Sequence, residues 1–128
     1  MILPYKTPEK ARAKSREYNK THAKQINKQK RKKHREVKYE VMKEFSKRQS
    51  NSNVPCCACC GEYIVEFLSI DHVDGRKVLG HGKYMMGTKL YYWARRNDYP
   101  DTLQVLCFNC NCAKGSYGIC PHKEKVIA

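Results

Sequence analysis

The cysteine pattern constrains this 128-residue chain more than any other feature. Cys107 and Cys110 form a Cys-x-x-Cys turn, and the run CCACC at residues 56–60 supplies a second turn of the same kind. Two such turns place four thiolates around one tetrahedral zinc ion. A disulfide scaffold is the alternative, but the start Met1-Ile2-Leu3-Pro4 is too short for the apolar part of a secretory signal. We therefore expect a cytoplasmic protein with a structural Zn²⁺ site.

The run at residues 56–60 contains two overlapping pairs with the required spacing, Cys56 with Cys59 and Cys57 with Cys60. We choose Cys57 and Cys60, since Gly61 follows directly and a knuckle turn commonly needs a residue that tolerates positive φ after its second ligand. The predicted zinc ligands are therefore Cys57, Cys60, Cys107 and Cys110. Free buried thiols or a redox pair are the alternative for these residues.

The other cysteines and histidines have weaker signals. Cys112, Cys120 and His122 could build a second site with one spare cysteine of the CCACC run, or the C-terminal tail could simply pack on the knuckle. The remaining histidines outside the motifs lack ligand spacing and are predicted to be solvated: His22, His34 and His81.

Charge is distributed very unevenly along the chain. The formal net charge is +14, and residues 1–50 hold 17 Lys and Arg against five Asp and Glu, which leaves +12 on this leader and +2 on the rest. Such an excess indicates a polyanionic partner, and Lys-rich runs bind phosphates without reading bases. No stretch approaches the roughly 18 apolar residues of a membrane span, so we expect no membrane association. The predicted nucleic-acid-binding residues are Lys28, Lys30, Arg31, Lys32, Lys33 and Arg35.

The leader (residues 1–50) is predicted to form one long basic α-helix that begins near Thr7-Pro8, an N-cap followed by proline. Val37, Val41 and Phe45 recur at i, i+4 and i+8 beside Met42, so only the last turns are expected to pack on a core. The polar segment 46–53 is interpreted as a linker. Two domains follow from this pattern: the leader, 1–50, and a cysteine-bearing domain, 54–128.

The second domain reads as α+β. We predict a buried strand from Ile64 to Ile70, a glycine-rich loop over 73–87 and a helix from Thr88. A second strand over 103–106 runs into Cys107, and a short helix is expected from Asn111 towards Gly115.

Asp71 and His72 are predicted to lie at the exit of the first strand, where both side chains can reach one cavity. A carboxylate that binds a divalent cation beside an imidazole that activates water is the arrangement a nuclease needs, and Asn111 can supply a second oxygen ligand. Mg²⁺ or Mn²⁺ suits these oxygen donors. Taken alone, the pair is more readily interpreted as a structural Asp-His contact.

The order of the parts resembles the HNH endonuclease family in its zinc-bound form. The similarity covers Pro55 to about His122: Cys57-x-x-Cys60-Gly61, a strand, Asp71-His72, a glycine-rich loop, then Cys107-x-x-Cys110-Asn111-x-x-Lys114-Gly115. It implies a ββα-metal, treble-clef-like fold stapled by the four-cysteine zinc site. It also implies that Asp71 and Asn111 hold the catalytic cation, that His72 is the general base and that Lys114 faces the phosphates. The basic leader and the segment 115–122 are similar to HNH proteins common in phage genomes.

The chain departs from the family pattern at two positions. Asn111 stands where the family often has His, a familiar variant. The family's middle asparagine precedes the second strand, where this chain has Thr102, and Asn109 is the candidate to take its place.

The sequence thus predicts a metal-dependent HNH endonuclease that hydrolyses DNA phosphodiester bonds, in the cytoplasm of a host cell if it is phage-encoded. The alternative from another class is a non-catalytic zinc-binding nucleic-acid module, with RNA as a further candidate partner. A protein whose leader docks on an acidic partner surface shares the charge argument. Oligomeric state, target sequence and the choice between nicking and double-strand cutting stay open.

Overall fold

The computed structural model describes residues 8–82 and 85–124. Two compact units divide the chain, one up to His34 and one from Arg35 onward. The prediction of a boundary near residue 50 differs from this division, because the last turns of the second helix belong to the unit that carries the cysteines. No helix within the described ranges is both long enough and apolar enough to cross a membrane.

The leader contains two helices, α1 (Glu9–Thr21) and α2 (Ala23–Ser50), where the sequence predicted one. The interruption falls at His22, whose backbone leaves helical geometry at φ −109° and ψ 13°. There the Thr21 hydroxyl and the His22 ring both contact the carbonyl of Tyr18, and side chains that bond to nearby carbonyls weaken the helical ladder. Helix α1 buries no residue, which fits its sparse apolar positions.

The last turns of α2 pack into the core of the second unit. Val37, Val41 and Phe45 are buried, as their spacing predicted. The interpretation of residues 46–53 as a linker is wrong at its start, because Ser46 is buried within the helix and its hydroxyl accepts a hydrogen bond from the Cys56 N–H at 3.0 Å. The helix is thereby tied to the first cysteine run.

The sheet consists of two antiparallel strands, β1 (Leu68–His72) and β2 (Leu103–Cys107). Leu68 pairs with Cys107 and His72 with Leu103. The predicted start of the first strand at Ile64 is wrong: a 3₁₀ turn occupies Val65–Phe67, and the strand begins after it.

Three helices complete the second unit: α3 (Thr88–Arg96), α4 (Phe108–Tyr117) and α5 (Pro121–Glu124). A 3₁₀ turn, Arg76–Leu79, lies in the predicted loop. Helix α4 follows β2 without a break and begins three residues earlier than predicted, because the Cys107 thiol accepts a hydrogen bond from the Cys110 N–H at 3.4 Å and caps the first turn. The architecture is α+β and mostly helical, with the sheet next to α4.

Candidate metal centre and adjoining cavity

Four cysteines, Cys57, Cys60, Cys107 and Cys110, form the first cluster, in which all sulfur atoms lie within 4.8 Å of one another. Cys107 ends β2 and Cys110 lies one turn into α4. This cluster can hold a metal ion such as zinc.

The turn that carries the other two thiols is fixed by backbone hydrogen bonds. The Cys57 N–H donates to the Glu62 carbonyl at 2.8 Å, and the Ala58 N–H donates to the carbonyl of Val105 in β2 at 2.8 Å. Gly61 has a φ of +83°, the conformation for which glycine was expected at this position. The local sequence thus presents the thiols of this turn to those at the end of β2.

The geometry and ionisation of the first cluster suit a thiolate-bound ion. Tetrahedral zinc with Zn–S bonds of about 2.3 Å requires sulfur–sulfur separations of about 3.8 Å, and Cys60 Sγ lies 3.7 Å from Cys107 Sγ. Burial opposes ionisation of Cys57, but N–H donors, that of Cys60 foremost, outweigh it and lower the pKa of this thiol to about 7. Burial raises the pKa of the Cys110 thiol, so its ionisation calls for a nearby positive charge.

A second cluster combines Cys59, Cys110, Cys120 and His122, again with all ligand atoms within 4.8 Å of one another. The sequence-based alternative named Cys112 for such a site, but Cys112 is exposed and belongs to neither cluster. Cys56 also lies outside both clusters.

Beside the first cluster, the three residues predicted for catalysis line one cavity of about 660 Å³. Asp71 and His72 are the last two residues of β1, and Asn111 lies on α4. The far wall includes Leu90 and Tyr91 of α3.

The Asp71 carboxylate is already engaged on one oxygen. Its Oδ2 accepts hydrogen bonds from Gln104 Nε2 at 2.9 Å and from Lys114 Nζ at 2.5 Å. Lys114 also donates to the carbonyls of His72 and Val73, at 3.0 and 2.9 Å, so three acceptors take up its three N–H groups. Lys114 therefore ties α4 to the end of β1, and phosphate binding by Lys114 stays a prediction. Gln104 carried no signal in the sequence, because its role follows from its pairing with Asp71 across the sheet.

Asn111 is oriented by Ser69, a residue the sequence analysis also missed. Its Nδ2 donates to Ser69 Oγ at 3.1 Å, and Ser69 Oγ donates to the Leu106 carbonyl at 3.1 Å. The hydrogen bond to Ser69 engages the amide nitrogen of Asn111, and the amide oxygen remains available to bind a metal ion.

His72 is buried, and its Nε2 lies 2.9 Å from Nδ1 of His81. Burial, reinforced by the nearby His81, lowers the pKa of His72 below its usual value despite the adjacent Asp71. The prediction that His81 is solvated is wrong: its ring is half-buried and stacks edge to face on Trp93 at 4.3 Å. Gly80 and Gly82, on either side of His81, indicated only a turn in the sequence. No spacing rule could therefore have predicted the contact between His72 and His81.

The predicted nucleic-acid-binding residues of the leader are all exposed on α2: Lys28, Lys30, Arg31, Lys32, Lys33 and Arg35. Their positive charges therefore face solvent, where a polyanion can reach them.

Comparison with family models, characterised proteins and solved structures finds no match to this chain. The functional interpretation therefore depends on the geometry of the cavity and the two clusters.

Proposed function

We propose that this protein is a metal-dependent HNH endonuclease that hydrolyses DNA phosphodiester bonds. One observation carries the proposal: Asp71, His72 and Asn111, which are 40 residues apart at the extremes, line the same cavity at the end of a two-stranded sheet. Asp71 and His72 lie on β1 and Asn111 on α4, and the order β1, β2, α4, with α3 between the two strands, is compatible with a ββα-metal module.

His72 is assigned as the general base. A lowered pKa keeps its imidazole neutral near pH 7, which a base that takes a proton from water requires. His81 contacts one ring nitrogen and so fixes the ring plane.

Asp71 and Asn111 would hold the catalytic cation, Mg²⁺ or Mn²⁺, through one carboxylate oxygen and one amide oxygen. Such an ion, when bound, neutralises charge on the phosphate and on the leaving oxygen. Asp71 Oδ1 has no protein partner among the described contacts, whereas Oδ2 is held by Lys114 and Gln104. The donor set fits a hard cation, and Lys114 fixes which oxygen faces it.

DNA is the proposed substrate because the leader concentrates exposed Lys and Arg on α2. Cations of this kind bind the phosphate backbone without distinguishing sequence, and the affinity they supply falls steeply with salt. We place the protein in the cytoplasm, of the host cell if it is phage-encoded, because its eight cysteines form no disulfide within the described residues and free thiols are typical of reducing compartments.

The test is cleavage of supercoiled plasmid by the full-length protein with Mg²⁺ or Mn²⁺, with and without EDTA. His72→Ala should lower the rate by about 10² to 10⁴, the usual worth of a positioned base, with zinc content and DNA affinity unchanged. Asp71→Asn should lower the rate and raise the Mg²⁺ concentration required, whereas Asp74→Asn, a matched change at an exposed neighbour, should do neither. A His72→Ala protein that cuts as fast as the parent would rule out the assignment of the base.

A non-catalytic zinc-binding nucleic-acid module is the second candidate. The ion pair between Lys114 and Asp71 favours it, because a lysine already neutralises the carboxylate that a catalytic cation would need. This candidate replaces the first if the protein binds DNA or RNA tightly yet cuts neither with any divalent metal.

A further inference from the structure

The second cluster lies where the C-terminal end of the described chain meets the first cysteine run. Cys120 is buried just before α5, and His122 lies within α5. His122 Nδ1 is 3.3 Å from Cys120 Sγ, 3.4 Å from Cys110 Sγ and 3.8 Å from Cys59 Sγ. One ring nitrogen thus faces three sulfur atoms.

Hydrogen bonding explains only one of these three contacts. Nδ1 of an imidazole carries either one proton or one lone pair, so it can serve a single partner at a time. A metal ion between the four atoms accounts for all three contacts together.

The separations agree with the edges of a tetrahedral zinc site. Bonds of about 2.3 Å to sulfur and 2.0–2.1 Å to nitrogen require nitrogen–sulfur edges of about 3.6 Å. The three observed distances, 3.3, 3.4 and 3.8 Å, bracket this value. The first cluster shows a matching sulfur–sulfur edge, 3.7 Å between Cys60 and Cys107.

Cys110 belongs to both clusters and its side chain is completely buried. A thiolate has enough lone pairs to bind two ions at once, so the shared sulfur can bridge the two clusters. The second cluster then adds two further thiolates, Cys59 and Cys120, and one neutral imidazole, His122. Their charge cancels that of a divalent ion, so a second ion enters without burying additional net charge.

We propose that the chain binds two zinc ions in a binuclear cluster bridged by the Cys110 thiolate. The first ion is held by Cys57, Cys60 and Cys107 together with Cys110, and the second by Cys59, Cys120 and His122 together with Cys110. On binding, the second ion displaces the protons of Cys59 and Cys120. It ties α5 to the residue 56–60 run and gives a ligand role to Cys59, which the first cluster does not use. The inference is independent of nuclease activity.

Metal content of the full-length protein, purified under reducing conditions and measured by elemental analysis, tests the number of ions. We expect two zinc ions per chain in the parent and one in both Cys120→Ser and His122→Ala. Cys112→Ser, a matched cysteine change outside both clusters, should keep two. Asp71→Asn should also keep two zinc ions. If the second ion were bound in the cavity lined by Asp71 instead of in the second cluster, this variant would lose it. One ion per chain in the parent, or two in His122→Ala, would overturn the proposal.

Cadmium-113 NMR of the parent tests the bridge without any variant that could fail to fold. Two ions that share a thiolate should give two resonances in the range of sulfur-rich sites, each split by coupling to the other ion through the Cys110 sulfur. A single resonance would exclude the second site. Two unsplit resonances would exclude the shared thiolate.

Discussion

His81 Nδ1 lies 2.9 Å from His72 Nε2, and the His81 ring packs edge to face on Trp93 of α3. The contact connects the loop after β1 to the proposed base and lets α3 fix the orientation of that base. Two imidazoles in contact place one proton between their facing nitrogens. The tautomer of His81 therefore decides which tautomer His72 adopts.

Replacing His81 with Ala is expected to slow plasmid cleavage while leaving zinc content unchanged. A partner that orients a functional histidine is typically worth about 10- to 100-fold, as measured in metal sites, so the loss should fall short of that in His72→Ala. It should appear in kcat rather than in KM, because no substrate contact is removed. His81→Asn, which keeps a polar nitrogen or oxygen near the ring, should restore part of the rate; a rate equal in His81→Ala and the parent would contradict the positioning role.

The Lys114 strap is expected to stabilise the fold. Lys114→Met removes the cation from Asp71, whose Oδ2 then keeps only the Gln104 donor, and takes away the donor to the Val73 carbonyl, while the Gly75 N–H still donates to the carbonyl of His72. Both side chains of the ion pair are largely buried, at 26% and 13% exposure. The loss of a charged donor from a partly buried carboxylate costs about 1–3 kcal/mol, which urea unfolding can measure.

Lys123→Met, at an exposed lysine of α5, is the matched control and should change the free energy of unfolding little. Asp71→Asn combined with Lys114→Met should cost less than the sum of the single changes, since the two side chains contact each other. Additive effects would show that the pair does not interact in solution.

Truncation separates the two units. Removing residues 1–34 should leave a folded, zinc-containing protein with weaker DNA binding, because each lost phosphate contact lowers the slope of log K against log salt by about 0.9. Removing residues 1–50 should unfold the protein, since it deletes buried Val41 and Phe45 from the core. Circular dichroism and metal content check the fold, and salt titration checks binding. A folded 51–128 fragment, or an unchanged salt slope after removal of 1–34, would contradict this division.

The sequence predicted those parts of the fold that follow from spacing along the chain. The i, i+4, i+8 pattern of Val37, Val41 and Phe45 located the buried face of α2. The Cys-x-x-Cys spacing anticipated the grouping of Cys57, Cys60, Cys107 and Cys110.

Contacts between distant segments could not be predicted in the same way. Lys114 contacts Asp71 only because α4 follows β2 without a break. Gln104 contacts Asp71 only because the strand register places the two residues opposite each other. Cys59 joins Cys120 and His122 through the path of the C-terminal segment, which no local pattern encodes. The β-branched residues from Ile64 onward led to a predicted strand start that is too early, because tertiary context overrides strand propensity. Ile64 and Phe67 are exposed, and a 3₁₀ turn occupies Val65–Phe67.

Thr102 offers a test of the proposed HNH assignment, because the HNH pattern has an asparagine just before the second strand, where this chain has Thr102. Its carbonyl accepts a hydrogen bond from the Val73 N–H at 2.9 Å, and its hydroxyl is the one buried side-chain polar atom without a partner among the described residues. Thr102→Val should therefore leave stability unchanged or raise it, by up to about 1 kcal/mol, since it removes an unpaired group while keeping the shape. Thr102→Asn should retain or improve cleavage if an amide at this position steadies the loop after His72. Urea unfolding and plasmid cleavage measure the two effects. A large loss of activity in Thr102→Asn would mean that Thr102 does not correspond to the HNH asparagine, and Asn109 would be the next residue to test.

Loss of one ligand of the first cluster should be far more damaging than loss of a neighbouring cysteine. Structural zinc contributes on the order of 10 kcal/mol to small domains, so Cys107→Ser should abolish both zinc binding and the fold, and chelation of the parent should do the same. Cys57→Ser should behave like Cys107→Ser. Cys56→Ser is the matched control in the same run, because Cys56 belongs to neither cluster, and it should remain folded with its full metal content. Elemental analysis and circular dichroism measure the outcomes; if Cys56→Ser unfolds while Cys57→Ser does not, the zinc is held by the other pair, Cys56 and Cys59.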